Sequence, residues 1–228
     1  MNPEISIVIP TLNEEFSIRQ TLDSLVVFGE NIEIIVVDGG SGDATLAIAE
    51  SYDVKILRSL RGRGTQLQIG GRAATGDVLW FLHADTIPAP DCVRQMKQIL
   101  QNKNVVGGNF TIRFDGESSA AKFLTRLYPN LRKLGLIYGD SAIFVRRDVY
   151  KKIGGFQPFP IFEDLDFIER LRKAGDIITL SAVVTTSSRR FENKSFVLTF
   201  ARWTILQILY WFGVSPETLI KIYFPKKN

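Results

Sequence analysis

Short apolar runs alternate with helix-like segments through the first part of this chain, and that alternation restricts the fold more than any other feature. "ISIVIP" (5–10), "IEIIVVDGG" (32–40), "VKIL" (54–57) and "DVLWFL" (77–82) are rich in Val, Ile and Leu and end at proline, glycine or polar residues. Between them lie "TLNEEFSIRQTLDSLVVF", "DATLAIAESY" and "RGTQLQIGGRAATG". In the first of these, Ile18, Leu22, Leu25 and Val26 recur at helical spacing, with Asn13 placed as N-cap and Glu14 and Glu15 in the first turn. Strands that are apolar on both faces and alternate with helices predict a mostly parallel central sheet with helices on both faces, an α/β fold.

The rhythm changes after His83. Residues 91–101 have the spacing of an amphipathic helix with Val93, Met96, Ile99 and Leu100 inward, whereas "GGNFTIRFDG" alternates Phe110, Ile112 and Phe114 like a half-exposed strand of an antiparallel addition. "AAKFLTRLYPNLRKLG" reads as a helix interrupted near Pro129, "DSAIFV" as a strand, and "EDLDFIERLRKAG" as a helix stopped at Gly175. No repeat, low-complexity stretch or linker divides the chain, and at 228 residues one domain can bury about 70 % of its unfolded surface.

Composition removes some classes of function. With 28 basic and 24 acidic side chains the net charge is only +4, too weak and too dispersed for a nucleic-acid footprint. Cys92 is the single cysteine, which excludes an intramolecular disulfide and a cysteine metal cluster, reads as a small buried residue, and fits a reducing, cytoplasmic setting. "MNPEISIVIP" lacks the basic and long apolar regions of a signal peptide.

In open parallel sheets ligands bind beyond the carboxyl ends of the strands. There the sequence places Pro10, Thr11, Asn13 and Glu14 after the first strand, and Asp38 with its glycine loop after the second. Arg61 and Arg63 follow the third, and His83, Ala84 and Asp85 the fourth. Carboxylates, glycine loops and arginines on one rim suit a phosphate ligand held partly through a divalent cation. Each piece alone also has an ordinary structural reading: Asp43 as a helix cap, "RGRG" as a solvated turn, His83 as a hydrogen-bonded structural residue, and Glu163 and Asp164 as partners of a helix dipole. Their joint occurrence in order favours the functional reading.

That order, "IPTLNEE", "VVDGGSGDAT", "GDVLWFLHADT" and "FEDLDFIERLRKAG", resembles the successive signatures of the family-2 glycosyltransferases of GT-A fold, from about Ile5 to Gly175. Within that family it is similar to short bacterial members with a His-Ala-Asp metal motif. Neither a P-loop nor a dinucleotide glycine fingerprint follows the first strand. The resemblance implies a Rossmann-like GT-A catalytic domain over residues 1–190 and a helical C-terminal extension over 191–228. It also implies transfer of a hexose-type sugar from a nucleotide-diphosphate donor to an acceptor hydroxyl.

Carried over residue by residue, the resemblance gives Asp85 to Mg²⁺ or Mn²⁺ bridging the donor phosphates, with His83 standing where a first aspartate is usual. Asp38 would contact the nucleoside, with Pro10, Thr11, Asn13, Glu14 and Ala84 around it and Arg61 and Arg63 reaching base, ribose or diphosphate. UDP is favoured over GDP. Asp164 matches the catalytic base and implies inversion in a single displacement. Gly108, Asn109, Gly139, Asp140 and Glu163 are acceptor-side candidates. A non-catalytic nucleotide-sugar or carbohydrate binding protein is the alternative, and a nucleotidyltransferase is disfavoured because "PTLNEE" has no glycine.

The tail carries Arg202 and Trp203, but Thr199 stands where processive members have glutamine, which argues against polymerisation. "WTILQILYWFGV" is short of the roughly 20 residues a membrane span needs. Packing on the domain, a homodimer contact, and a peripheral position at the inner membrane face with Arg202, Lys221, Lys226 and Lys227 near headgroups all remain open. The last would suit a lipid-linked acceptor.

Overall fold

The computed structural model describes residues 3–29, 31–133, 136–189 and 196–223. The four apolar runs form β1 (Ile5–Thr11), β2 (Ile32–Asp38), β3 (Lys55–Arg58) and β4 (Val78–Phe81). Helices α1 (Ile18–Leu25), α2 (Thr45–Ala49) and α3 (Arg63–Ala73) connect them. The strands pair in parallel in the order β3-β2-β1-β4, with Ile5 beside both Ile32 and Val78. Strand order therefore reverses at β1, and the crevice at a reversal point is where such sheets bind ligands.

The remainder runs β5 (Thr86–Pro88), α4 (Cys92–Ile99), β6 (Val105–Phe114), α5 (Ser119–Lys133), β7 (Phe144–Arg146), α6 (Arg147–Lys152), α7 (Glu163–Arg172) and β8 (Asp176–Thr186). Helices α8 (Phe196–Trp211) and α9 (Pro216–Tyr223) follow. Among the described residues these strands form one sheet of eight, in the order β3-β2-β1-β4-β7-β6-β8-β5. Strand β7 is antiparallel to β4 and β6, β8 is parallel to β6, and β5 is antiparallel to β8. This is the α/β fold with antiparallel additions that the sequence predicts.

Successive residues of β4 face opposite sides of the sheet. Trp80 stacks obliquely on Phe28 and Phe110 at 5.8 and 5.3 Å, beneath α1, α4 and α5. Phe81 meets Phe156 edge-on at 4.7 Å, beneath α3, α6 and α7. Small residues let α3 lie close to the sheet: a Cβ at Gly70 would stand 2.3 Å from Val8 Cγ1.

Several local expectations change. Asn13 does not cap a helix; it adopts φ 55° and α1 begins only at Ile18, because the Asn13 side chain is drawn to the loop after β2. Helix α5 runs through Pro129 without a break. Buried Leu124 and the edge-to-face contact of Tyr128 with Phe114 (5.0 Å) anchor it on the N-terminal side of the proline. In "DSAIFV" only the end is strand: Gly139–Ser141 form a 3₁₀ turn, Ala142 is left-handed at φ 55°, and β7 starts at Phe144. Strand β6 is half-exposed only near its end, since β7 and β8 flank it.

Helices α8 and α9 pack through Leu206 and Leu219 on Ile161 and Phe162, just before α7. The expected boundary at 190/191, and Lys226 and Lys227, lie outside the described residues. Among the described residues no helix is long and apolar enough to cross a membrane.

Candidate active site

At the carboxyl ends of β1 and β2 the backbone is folded around carboxylates. Asp38, only 2 % exposed, accepts the amides of Gly40 (2.9 Å) and Ser41 (3.1 and 3.2 Å), so the glycine loop turns about its own first residue. Asn13 accepts the Gly42 amide at 2.9 Å and donates its own amide to Ser41 Oγ at 2.9 Å. The Glu14 amide donates to Thr45 Oγ1 at 2.7 Å, the Glu15 carboxylate accepts the Ala44 amide at 3.0 Å, and Asp43 caps α2 through the Thr45 amide at 3.0 Å. Both post-strand segments are thereby laced together beside Pro10 and Thr11. Gln66 of α3 completes the clasp by donating from Nε2 to the carbonyls of Thr11 (2.7 Å) and Val37 (2.8 Å). Sequence reasoning missed Gln66, whose only mark was an amide amid the small residues of that helix.

Asp85 sits between β4 and β5. The β5–β8 pairing sets Thr86 opposite Thr186, the Ser187 amide donates to the Asp85 carbonyl at 3.2 Å, and Arg189 is carried to the same edge. Its guanidinium donates to Asp85 Oδ2 at 3.3 Å, to Ser17 Oγ at 2.9 Å and to the Glu14 carboxylate. Arg189 was also missed; its only signal was an Arg-Arg pair just beyond a strand end. Burial pushes the Asp85 carboxyl above its ordinary range; His83 and Arg189 oppose the shift and Glu14 adds to it. The Ala84 carbonyl accepts the Thr21 hydroxyl at 2.8 Å.

Among the described residues no group of three or more His, Cys, Asp or Glu side chains is arranged to hold a metal by itself. Asp85 and Glu14 nevertheless converge on one cationic group, which fits a divalent cation completed by ligand phosphate oxygens.

Across the cleft, α7 opens with Glu163 and Asp164. Phe162 before them is left-handed at φ 61°, a costly conformation for a bulky residue, and its ring is wedged against Trp203 (5.9 Å) and Tyr210 (5.2 Å). Glu163 is 1 % exposed and accepts from Arg63 Nε. Asp164 accepts the Gly139 amide at 2.8 Å and its own following amide, at Leu165, at 2.9 Å. Burial, reinforced by the adjacent Glu163 and opposed by Arg63, pushes the Asp164 carboxyl up to about 6.

His83 joins the two sides. Its Nδ1 lies 3.5 Å from Asp140, which also accepts the Tyr128 hydroxyl at 3.3 Å. A Cβ at Gly139 would fall 3.3 Å from His83 Nε2 and 3.4 Å from Asp164 Oδ2, so the glycine keeps this passage open. His83, Gly139 and Asp164 line a void of about 10 Å³, and a larger cavity of about 270 Å³ opens from Asp164 and Asp140 between α5 and α8.

Other expected residues have different surroundings. Arg61 is exposed on the loop after β3, and Arg63 is turned to Glu163. Gly108 and Asn109 lie inside the sheet: a Cβ at Gly108 would be 2.1 Å from the Ile178 carbonyl oxygen, and Asn109 accepts the Thr179 hydroxyl at 2.8 Å.

Known proteins resemble this chain in sequence and in fold. The chain is 28 % identical over 193 residues to the uncharacterized glycosyltransferase Rv1514c of Mycobacterium tuberculosis H37Rv, covering 80 % of this chain and 74 % of that one. The crystal structure of S. aureus TarS 1–349 in complex with UDP superposes with TM-score 0.68 at 19 % identity, covering 82 % of this chain and 60 % of that one. The mannosyltransferase PcManGT of Pyrobaculum calidifontis, in complex with GDP-Man and Mn²⁺, superposes with TM-score 0.62 at 23 % identity, covering 81 % and 57 %. These two structures carry the fold alone, and the chain spans less than two thirds of each. Residues 6–154 match the model of Glycosyl transferase family 2, and with the laced β1/β2 rim and the Asp85 strand end inside that span, the chain belongs to this family and has the GT-A fold.

Proposed function

We propose that the protein moves a hexose-type sugar from a nucleoside-diphosphate donor to an acceptor hydroxyl by one displacement with inversion, once per acceptor. The observation that carries this reading is a series of contacts, joined by short steps along the chain from Asn13 to Glu14, Asp85 to His83 and Asp140 to Gly139, that connects three carboxylates. Asp38 is linked through Ser41 and Asn13 to the Glu14 turn, Glu14 through Arg189 to Asp85, and His83 through Asp140 and Gly139 to Asp164.

In this reading Pro10, Thr11, Asn13, Glu14 and Asp38 receive the nucleoside, with Arg61 at the rim, while Arg63 is held by Glu163 on the Asp164 side of the cleft. Asp85 would hold Mg²⁺ or Mn²⁺ together with the diphosphate, and such a cation would offset negative charge on the departing phosphate. Arg189 places a fixed positive charge at the same edge. As the acceptor oxygen bonds to the anomeric carbon, its proton passes to Asp164, and the carbon–oxygen bond to the diphosphate breaks with its electron pair on the phosphate. A carboxyl at about 6 is a better proton acceptor than an ordinary aspartate, yet is ionised at neutral pH. Gly139, Asp140 and Glu163 frame the acceptor, and Thr199 in the glutamine position supports single transfer. Similar proteins bind UDP or GDP-Man, the latter with Mn²⁺, and a UDP-linked donor is our first choice. We assign the protein to the cytoplasm, at the inner membrane face.

A thermal-shift titration with UDP, GDP and their sugars, with and without Mn²⁺ or Mg²⁺, on wild type and Asp85→Ala tests this. Ligands that bind the native state raise its midpoint. A metal-dependent shift lost in Asp85→Ala is expected, whereas no shift with any nucleotide removes the transferase reading.

A further inference from the structure

We infer that the cavity between α5 and α8 binds the apolar body of the acceptor, and that this acceptor is an alcohol borne on a membrane lipid. The inference rests on the proposed role of Asp164 as base. The cavity measures about 270 Å³ and is walled by Leu124, Leu131, Phe162, Phe200 and Trp203. Such walls suit hydrocarbon, and the polar groups of the lining, Arg63, Asp140, Asp164, Tyr138 and Gln207 among them, are left for the acceptor's oxygen. Ligand pockets usually span about 300–1,000 Å³, so a cavity near the lower end of that range takes only part of a long-chain lipid.

The polar groups of the cavity mark its reacting end. Asp164 and Asp140 line it, and the Tyr138 hydroxyl donates to Gln207 Oε1 at 2.8 Å. Gln207 Nε2 is buried with no partner among the described residues. A buried donor left unpaired is costly, and the oxygen of the acceptor's hydroxyl satisfies it while its proton is offered to Asp164. An amphiphile with its hydroxyl between Asp164 and Gln207 and its hydrocarbon toward Trp203 meets both requirements.

The opposite end opens onto apolar surface. Ile208 and Trp211 line the cavity and are 42 % and 59 % exposed. Leu198 and Ile205 are also exposed; with Ile208 they are spaced by seven and three residues, which puts them on one side of α8, and Phe212, 84 % exposed, follows the last residue of that helix. Arg202 and Lys221 are exposed on the same pair of helices. A helix that is apolar both inward and outward and carries flanking cations suits an interface with lipid. A second copy seated on this stripe would cover the cavity mouth, whereas a bilayer lets the acceptor tail leave through it.

Three readings on the full chain test this. Farnesol, a simple isoprenoid alcohol, is titrated against intrinsic fluorescence, since Trp203 and Trp211 line the cavity and Trp80 is in the core. Co-sedimentation with phosphatidylglycerol/phosphatidylethanolamine vesicles reads the stripe. UDP-induced stabilisation with Mn²⁺ reads the donor site independently. Saturable binding of farnesol is expected, weakened at least tenfold in Ile208→Glu, together with vesicle binding lost in Ile205→Glu and unaltered UDP stabilisation in both variants. Absence of farnesol binding, equal farnesol affinity in Ile208→Glu, or a soluble dimer that ignores vesicles overturns the inference. If nucleotides stabilise the protein and farnesol does not bind, the acceptor assignment alone fails; if no nucleotide binds, the transferase reading fails.

Discussion

Arg63 grips the carboxylate of Glu163, and the next residue, Asp164, is left to the backbone amides of Gly139 and Leu165. Two adjacent acids at the start of one helix thus receive different environments. Glu163 has a cation in direct contact and is fixed in place. Asp164 has burial, a neighbouring negative charge and only a more distant guanidinium, so its proton is held more tightly than in an ordinary aspartate. Glu163 is thus the member that holds Arg63, and Asp164 the member placed to take a proton.

Asp164→Asn separates chemistry from stability. Transfer should fall by at least about 10²-fold with the loss of a general base, while nucleotide binding stays unchanged. The folded protein holds the Asp164 proton up to about pH 6, whereas the unfolded chain releases it near 3.8. Between those values the native state binds more protons than the unfolded one, so stability declines as pH rises through the window. The asparagine variant lacks that decline. Its melting temperature should exceed wild type above about pH 6 and match it below about pH 4, and two pH–Tm curves that run parallel across the window contradict the assignment. Wild-type kcat/KM should rise with pH through the same region.

Arg63→Met leaves Glu163 buried without its cation. We expect a loss of about 2–4 kcal/mol, at or below the range for fully buried pairs because about a third of the Arg63 side chain is exposed. Since Arg63 also opposes the upward shift of Asp164, the ascending limb of the pH–rate profile should move to higher pH. Adding Glu163→Gln should restore most of the stability, and urea melts of the single and double variants read the coupling.

Gly70→Ala probes how closely α3 approaches β1. The added methyl would lie 2.3 Å from Val8 Cγ1 and 2.9 Å from Val37 Cγ2, so the helix must move or the valines must rotate. Overpacking of this kind costs about 1–3 kcal/mol, against the gain usual for Gly→Ala in a helix interior. Gln66 on the same helix clasps the β1 and β2 ends, so nucleotide affinity should fall together with stability. A variant as stable as wild type would show that the contact relaxes freely.

The parallel half of the sheet was legible because each strand is apolar on both faces and each connecting helix has its own period. Asp38, Asp85 and Asp164 were legible through the segments around them. What was not legible depended on pairing between distant parts of the chain. Asn13 looks like a helix cap until the loop after β2 offers it Gly42 and Ser41. Pro129 looks like a break until packing of Tyr128 beside it is known. Arg189 reaches Asp85 only through the β5–β8 register, and β5 is too short to announce itself in the sequence. Arg63 and Glu163 are 100 residues apart, and nothing local pairs them.

Arg189 makes a final prediction possible. Its guanidinium bridges Glu14 and Asp85, the carboxylates toward which a divalent cation would be drawn. A tethered cation and a free one compete for the same oxygens, and both carboxylates cannot fully serve both. Arg189→Met should therefore bind Mn²⁺ several-fold more tightly than wild type in the absence of nucleotide, because the competitor is gone and the two carboxylates are left facing each other. With UDP present the order should reverse, since the fixed positive charge beside the diphosphate is lost as well. Titration of Mn²⁺ by calorimetry or by its paramagnetic resonance signal, with and without UDP, reads both effects. If Arg189→Met binds Mn²⁺ no better than wild type without nucleotide, the Glu14–Arg189–Asp85 bridge does not compete with metal, and the cation is drawn to phosphate oxygens far more than to the protein.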